Sequence, residues 1–215
     1  MNISRVRDEQ SARSFVKNLS SAEAVEKLDL FLAALREENT RQNLVAKPTL
    51  EIAWQRHLAD SAQLLTHVSR ETGMWMDLGT GAGLPGLVIA IMRPDRPVML
   101  VESRRRRIDW LERMVDELDL FKCEVAGTRL ENVETVPAAV ISARAFAPLR
   151  SILDLSARFS TAQTVFVLPK GRSAAQELEE SSRKVRQMFH VEQSVTDDDA
   201  GILVGKLAKG LRKAT

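Results

Sequence analysis

The sequence predicts an α/β fold, a mostly parallel sheet closed at its end by an antiparallel hairpin and preceded by a helical extension. Three observations carry this. From Met74 onward, the β-rich runs "MWMDL", "VMLVE", "KCEVAG", "AAVISA" and "TVFVL" are each followed by a stretch of helical length, the rhythm of parallel strands joined by crossover helices. The first run breaks into a glycine-rich loop, "DLGTGAGLPG", where a strand would hand over to a helix. The last two runs, "FHVEQSV" and "GILVGKLAK", flank "TDDDA" with no room for a helix, so they are expected to pair antiparallel.

Taken in order, residues 1–70 read as a helical extension and residues 71–215 as the sheet domain, packed together as one unit. The first 19 residues are polar and charged enough to be expected disordered until bound. Ser20 and Glu23 then present a capping box, and Val25, Leu28, Phe31, Leu32 and Leu35 recur on one helical face. A second helix is expected after Pro48. After the second strand, "RRRRIDWLERMVDEL" reads as a helix buried through Ile108, Leu111 and Val115, with Glu112, Asp116 and Glu117 as local ion-pair partners. Successive helical residues point about 100° apart. One or two of Arg104 to Arg107 at most are therefore expected to meet a polyanion.

Composition excludes more than it proves. Lys+Arg total 31 against Asp+Glu 29, a net charge of +2, too mild to establish a polyanionic partner by itself. The lone Cys123 rules out an internal disulfide and fits a reducing compartment. No apolar run approaches the roughly 20 residues of a membrane span, and "MNISRVRDEQSARSF" has no signal-peptide core, so a cytoplasmic protein without a membrane partner is expected. His57, His67 and His190 are dispersed, so no metal is expected.

The glycine loop asks what must come so close to the backbone. Gly81, Gly83 and Gly86 satisfy the G-x-G-x-x-G dinucleotide pattern, a weak signal alone. The parse D-x-G-x-G-x-G, from Asp77 through Gly79, Gly81 and Gly83, is more telling. An acid beside a pyrophosphate is unfavourable, whereas S-adenosylmethionine brings a sulfonium and an ammonium that a carboxylate stabilises directly or through water. Glu102 ends the next strand 23 positions after Gly79, close to the spacing at which an acid reaches ribose hydroxyls; its bland alternative is an ordinary acid at a helix N-terminus. The late hairpin adds a fold-level analogy with the Rossmann-like class I S-adenosylmethionine-dependent methyltransferases.

The methyl acceptor follows by elimination. No acid-Pro-Pro-aromatic motif follows the fourth strand, where the chain reads "ISARAFAPL", and Cys123 lies inside a strand rather than at a catalytic loop. A target with its own lone pair remains, and guanine N7 needs no deprotonation. Catalysis then rests on alignment and electrostatics. Arg144 suits a phosphate, guanine O6 or the cofactor; its bland alternative is a loop salt bridge.

The motifs "RQNL", "RHLADS", "DLGTGAGLPG", "LVES" with "RRRRIDWLERM", "GTRLENV", "ISARAFAPL" and "LPKG" resemble the RsmG (GidB) family, bacterial methyltransferases of guanine N7 in 16S ribosomal RNA, from about Asn39 to Leu207. The resemblance implies that Gly79 and Leu84 line the cofactor, Leu130 and Glu131 frame the adenine, and Arg144 lies by the methyl-transfer site. It also implies that Arg129, Lys170 and the arginines after Glu102, Arg104 among them, meet RNA of the small ribosomal subunit; Arg172 joins Arg129, Arg144 and Lys170 as basic charge around the expected crevice. A monomer is expected. The chain departs from the family at Val45, where relatives carry a threonine, and at Ser142-Ala143-Arg144, where they read Ser-Arg-Ala.

His57, Asp60 and Ser61 share a helix face and are expected either to cover the cofactor or touch RNA, or to fill a polar patch between the extension and the sheet. Two rival functions remain: an NAD-dependent oxidoreductase, and a non-catalytic RNA-binding assembly protein of methyltransferase fold.

Overall fold

The computed structural model describes residues 5–69 and 73–207. Helix α1 (Glu9–Leu19) opens at Asp8, whose carboxylate accepts the Ser11 amide while the Ser11 hydroxyl accepts the Asp8 amide, and it buries Ala12 and Val16. The segment expected to be disordered is therefore helical from Glu9; its apolar face is only a narrow i, i+4 stripe, easily lost among polar residues. Helix α2 (Ala22–Glu38) is capped by Ser21, which accepts the Ala24 amide, and it buries all five of Val25, Leu28, Phe31, Leu32 and Leu35. The expected capping box was one residue out of register. Ser20 closes α1 instead, bonding back to the Val16 carbonyl.

The helix expected after Pro48 arrives in pieces: a 3-10 turn (Lys47–Leu50), a π-helical segment (Trp54–Ala59), the short α3 (Asp60–Ala62) and a further 3-10 turn (Gln63–His67). The Glu9 carboxylate of α1 accepts the Trp54 and Gln55 amides and so satisfies donors at the start of the π segment.

Seven strands follow, β1 (Trp75–Leu78), β2 (Val98–Val101), β3 (Cys123–Ala126), β4 (Ala138–Ser142), β5 (Ser160–Gly171), β6 (Phe189–Gln193) and β7 (Gly201–Lys206), in the order β3-β2-β1-β4-β5-β7-β6. All pair parallel except β7, which runs antiparallel to both β5 and β6. The connecting helices are α4 (Gly86–Met92), α5 (Arg105–Glu117), α6 (Leu149–Ser156), α7 (Ala174–Glu179) and α8 (Arg183–Arg186).

Strand alternation splits the core in two. Trp75, Leu100 and Val140 face one cluster with Val16, Leu28, Phe31, Leu87 and Trp110, so a continuous apolar core joins α1 and α2 to the sheet. Met76, Leu78, Met99 and Ile141 face the other, with Leu130, Ile152 and Phe159. Strand order reverses at β1, between β2 and β4, and there the loops beyond the strand carboxyl ends part to leave a crevice.

Candidate active site

Two cavities open at this crevice. The smaller, about 440 Å³, is lined by Gly79, Glu102, Arg104, Arg129, Leu130 and Glu131 among others. The larger, about 930 Å³, is lined among others by His57, Asp60, Arg144 and Lys170. Ala145 and Phe146 line both and form the partition between them.

Three glycines of the loop adopt left-handed backbone, Gly79 at φ 63°, Gly81 at 60° and Gly83 at 91°. At Gly79 the close approach is visible: a Cβ would fall 2.3 Å from the Phe146 ring. The loop is tied down from both sides. Glu102 accepts the Gly81 amide on one oxygen and the Ser103 and Arg104 amides on the other, with the Arg107 guanidinium 3.7 Å away. Its first oxygen keeps a lone pair for one further donor, such as a ribose hydroxyl.

Asp77 departs from the expectation of a cofactor contact. It is wholly buried beneath the loop, where its carboxylate accepts the Ser142 hydroxyl at 2.6 Å and the Gly86 amide at 3.0 Å. Ser142 in turn accepts the Trp75 indole N–H at 2.8 Å. Burial drives the Asp77 pKa up to about 6, against the pull of these hydrogen bonds and the charge of Arg144. The carboxylate is therefore the floor that fixes the loop, and at the crevice it acts by its charge on Arg144 rather than by contact. Leu84 is likewise buried in the core and lines neither cavity, because the chain turns inward there toward α4. Gly81 and Gly83 shape the loop without lining the smaller cavity.

Arg144 follows β4 and is half-buried, its guanidinium 3.4 Å from the Asp60 carboxylate. Asp60 also accepts from Gln63 and Thr196, which ties it to the segment before β7. His57 is buried, and the charges of Arg144 and Arg56 add to burial in driving its pKa down to about 3. Ser61 donates to the His57 carbonyl and is structural. The flagged trio thus divides: Asp60 and His57 line the larger cavity and Ser61 does not.

The basic residues also divide. Arg104 and Arg129 are exposed at the smaller cavity, beside the groups expected to hold the cofactor. Lys170 lines the larger one, but its ammonium is held by the Ala147 carbonyl at 2.7 Å and Glu177 at 3.0 Å, fastening the loop after β4. Arg172 lines neither and pairs with Asp199 on the surface. The ion pairs expected within α5 are different ones, Arg105 with Asp109 and Arg107 with Glu102, because the arginines fan outward from the helix start. Cys123 is buried, its thiol pushed up to about 12 by desolvation, which removes it as a nucleophile. Among the described residues no group of three or more His, Cys, Asp or Glu is placed to hold a metal. Phe146, Ala145 and the His57 partner Thr49 went unnoticed in the sequence; the aromatic after "SARA" was their one visible signal.

Residues 24–201 match the family described as GidB, rRNA small subunit methyltransferase G. The chain belongs to the GidB family of small-subunit rRNA methyltransferases. A ribosomal RNA small subunit methyltransferase G of Erythrobacter litoralis is 62% identical over 198 residues, covering 92% of this chain and 96% of its own. By fold, the methyltransferase is similar to a methyltransferase from Geobacter sulfurreducens, with a TM-score of 0.60, 14% identity and coverage of 83% of this chain and 89% of that one. It is also similar to an RNA methyltransferase from Salinibacter ruber in complex with S-adenosylhomocysteine, with a TM-score of 0.52, 13% identity and coverage of 69% and 90%.

The smaller cavity of the methyltransferase fits such a cofactor. Its volume falls in the range of roughly 300–1,000 Å³ of small-molecule sites. The Gly79 backbone leaves no space for a side chain, Glu102 has a free lone pair, and Leu130 supplies an apolar wall for a base.

Proposed function

We propose that this chain transfers the methyl group of S-adenosylmethionine to N7 of a guanine in the 16S rRNA of the small ribosomal subunit, as a cytoplasmic monomer. The carrying observation is the shared partition: a cavity fitted to a nucleoside adjoins a larger one lined by Arg144, with only Ala145 and Phe146 between them.

When bound, S-adenosylmethionine supplies an electrophilic methyl group on a sulfonium. The chain's own residues orient and shield. Gly79 would admit the cofactor close to the backbone, Glu102 would receive a ribose hydroxyl, and Leu130 with Glu131 would bracket the adenine. Guanine N7 would take that methyl on its in-plane lone pair, with S-adenosylhomocysteine as the neutral leaving group. The positive charge passes to the base, and no proton is released. No general base is required, which agrees with an Asp77 sealed under the loop and an inert Cys123. Arg144, aimed by Asp60, holds O6 or a phosphate and aligns the base.

The NAD reading loses its support because the family to which the chain belongs is a methyltransferase family. A purely RNA-binding role leaves the tied glycine loop without a purpose. The deciding experiment transfers label from S-adenosylmethionine to small subunits from a strain lacking the gene, followed by nucleoside mass spectrometry. Label in 7-methylguanosine is expected; its absence alongside stabilisation by NAD rather than S-adenosylhomocysteine would overturn the reading.

A further inference from the structure

Three consecutive carboxylates in the turn between β6 and β7, Asp197, Asp198 and Asp199, each hold an arginine from a different part of the chain: Arg56, Arg5 and Arg172 respectively. Of these arginines only Arg56 lines the larger cavity. It belongs to the π-helical segment, and its side chain is half exposed. Its Nη1 lies 3.4 Å from the Asp197 carboxylate, longer than the about 2.7–2.9 Å of a charge-assisted hydrogen bond, and among the described residues this is its one side-chain ion pair or hydrogen bond. Most of its fan of N–H donors is unspent. Asp197 is held more firmly than the arginine it faces, since its other oxygen accepts the Asp199 amide at 3.0 Å.

Arg144 lines the same cavity in the same state, with one carboxylate at 3.4 Å. Burial, and then the charges of Arg144 and Arg56, push the His57 pKa down to about 3, so both guanidiniums lie within electrostatic reach of one ring and the wall takes on no third cation there. Two like charges that share a wall, each loosely countered, favour an incoming anion. An RNA nucleotide brings one, a phosphodiester whose oxygens match the guanidinium fork, and it also brings a base to be held. Arg144 adjoins Ala145, which lines both cavities, whereas Arg56 stands on a separate segment and lines only the larger. The two cations can thus divide the nucleotide, Arg144 meeting the base and Arg56 the backbone.

We propose that Arg56 binds a phosphodiester of the target nucleotide, and that Asp197 is its placeholder, a carboxylate that keeps the guanidinium at the cavity until RNA takes it over. The assignment rests on the function proposed above and deepens it by leaving Arg144 to the base. It explains why Arg56 is held by one long contact: a partner that must be exchanged for phosphate is served by a weak bond.

Arg56→Gln, Asp197→Asn and the double variant test this, each assayed for binding and methylation of undermethylated small subunits over a range of salt. Arg56→Gln is expected to raise KM about 10-fold with kcat within a few-fold of wild type, and to lower the slope of log K against log salt by about 0.7, at unchanged S-adenosylhomocysteine affinity. Asp197→Asn is expected to do the opposite and tighten binding a few-fold, because phosphate no longer competes with a carboxylate. The double variant should bind like Arg56→Gln alone. A merely structural clip between the π segment and the hairpin would make both single variants weaken binding alike, and that result would overturn the proposal whatever their stability. A gain from Asp197→Asn that persists undiminished in the double variant would also overturn it, since the gain would then come from the charge of the turn and not through Arg56. A wild type that methylates no small subunits would instead sink the functional reading on which the proposal rests.

Discussion

Asp77 and Asp60 are two carboxylates that both act on Arg144, and they are held in different ways. Asp77 has no exposed surface and is fixed by a hydroxyl at 2.6 Å and an amide at 3.0 Å, with an indole behind the hydroxyl. Asp60 stands in the wall of an open cavity, and its link to Arg144 is a long 3.4 Å contact. The Asp77 carboxylate under the glycine loop is buried and bonded on both oxygens. The opposite wall is left with contacts that a ligand can exchange. A small nucleoside cosubstrate that is the same in every turnover is served by a preformed cradle, whereas a macromolecular substrate is served by a wall whose contacts are completed only on binding.

The largest effect that would break this contrast is at Arg144. Arg144→Ala is expected to lower the rate of methyl transfer about 10²- to 10³-fold, the scale of losing one positioned charged donor at a reacting centre. Stabilisation by S-adenosylhomocysteine in a thermal shift should be unchanged. A variant that transfers at full rate would return Arg144 to the role of an ordinary loop salt bridge.

Asp77→Ala attacks the floor. It strands the Ser142 hydroxyl and the Gly86 amide in a dry interior, which costs about 1–3 kcal/mol per buried group left unpaired. Unfolding by denaturant should show a loss of about 3 kcal/mol, and S-adenosylhomocysteine affinity should fall with it because the loop is released. Asp60→Ala, on the wall, should cost much less stability while still lowering transfer. Similar stability losses in the two variants would erase the distinction.

The two regions should also respond oppositely to pH. The Asp77 pKa is raised from 3.8 to about 6 on folding, so between these values the folded chain keeps a proton that the unfolded chain has lost. Its contribution is greatest below pH 4 and falls as pH rises to 6, by about 3 kcal/mol at about 1.4 kcal/mol per unit. The His57 pKa is lowered from 6.5 to about 3, so there the unfolded chain holds the extra proton. Its contribution is complete above pH 6.5 and is lost as pH falls toward 3. Stability of wild type minus Asp77→Asn should therefore decline from pH 4 to 6, and that of wild type minus His57→Gln should climb over the same range. Parallel slopes would mean that one of the two groups is not buried as the structure has it.

The sheet was legible because strand spacing and the late hairpin are local patterns, and six of the seven strands fall within or almost within the quoted runs; β5 begins earlier, at Ser160. Side-chain direction at the site was not. The string D-x-G-x-G-x-G serves a carboxylate aimed at a ligand as well as one tucked beneath the loop. What decides for Asp77 is Ser142, its register partner on β4, 65 residues away. Lys170 and Arg172 looked alike as cations after β5, but the strand end turns one into the cavity and the other out to Asp199. His57 meets Thr49 at 2.8 Å across the start of the π segment, a contact that residue spacing does not encode.

The smallest effects sharpen the comparison at the rim, where Arg104 and Arg129 edge the cofactor cavity and Arg172 stands apart. RNA that spans both cavities passes over the partition, so its phosphates come within reach of the first two. A phosphate contact releases counterions, and losing one lowers the slope of log K against log salt by about 0.7 for a single strand. Arg104→Ala and Arg129→Ala should each reduce the salt slope of small-subunit binding by nearly that unit while leaving stability within about 0.5 kcal/mol, as exposed surface changes do. Arg172 is 80% exposed and already spends its charge on Asp199, so Arg172→Ala should leave the slope unaltered. A slope change at Arg172 equal to that at Arg129 would extend the RNA path past the β5 end and away from the partition, and the wall lined by His57 would then be its middle rather than its edge.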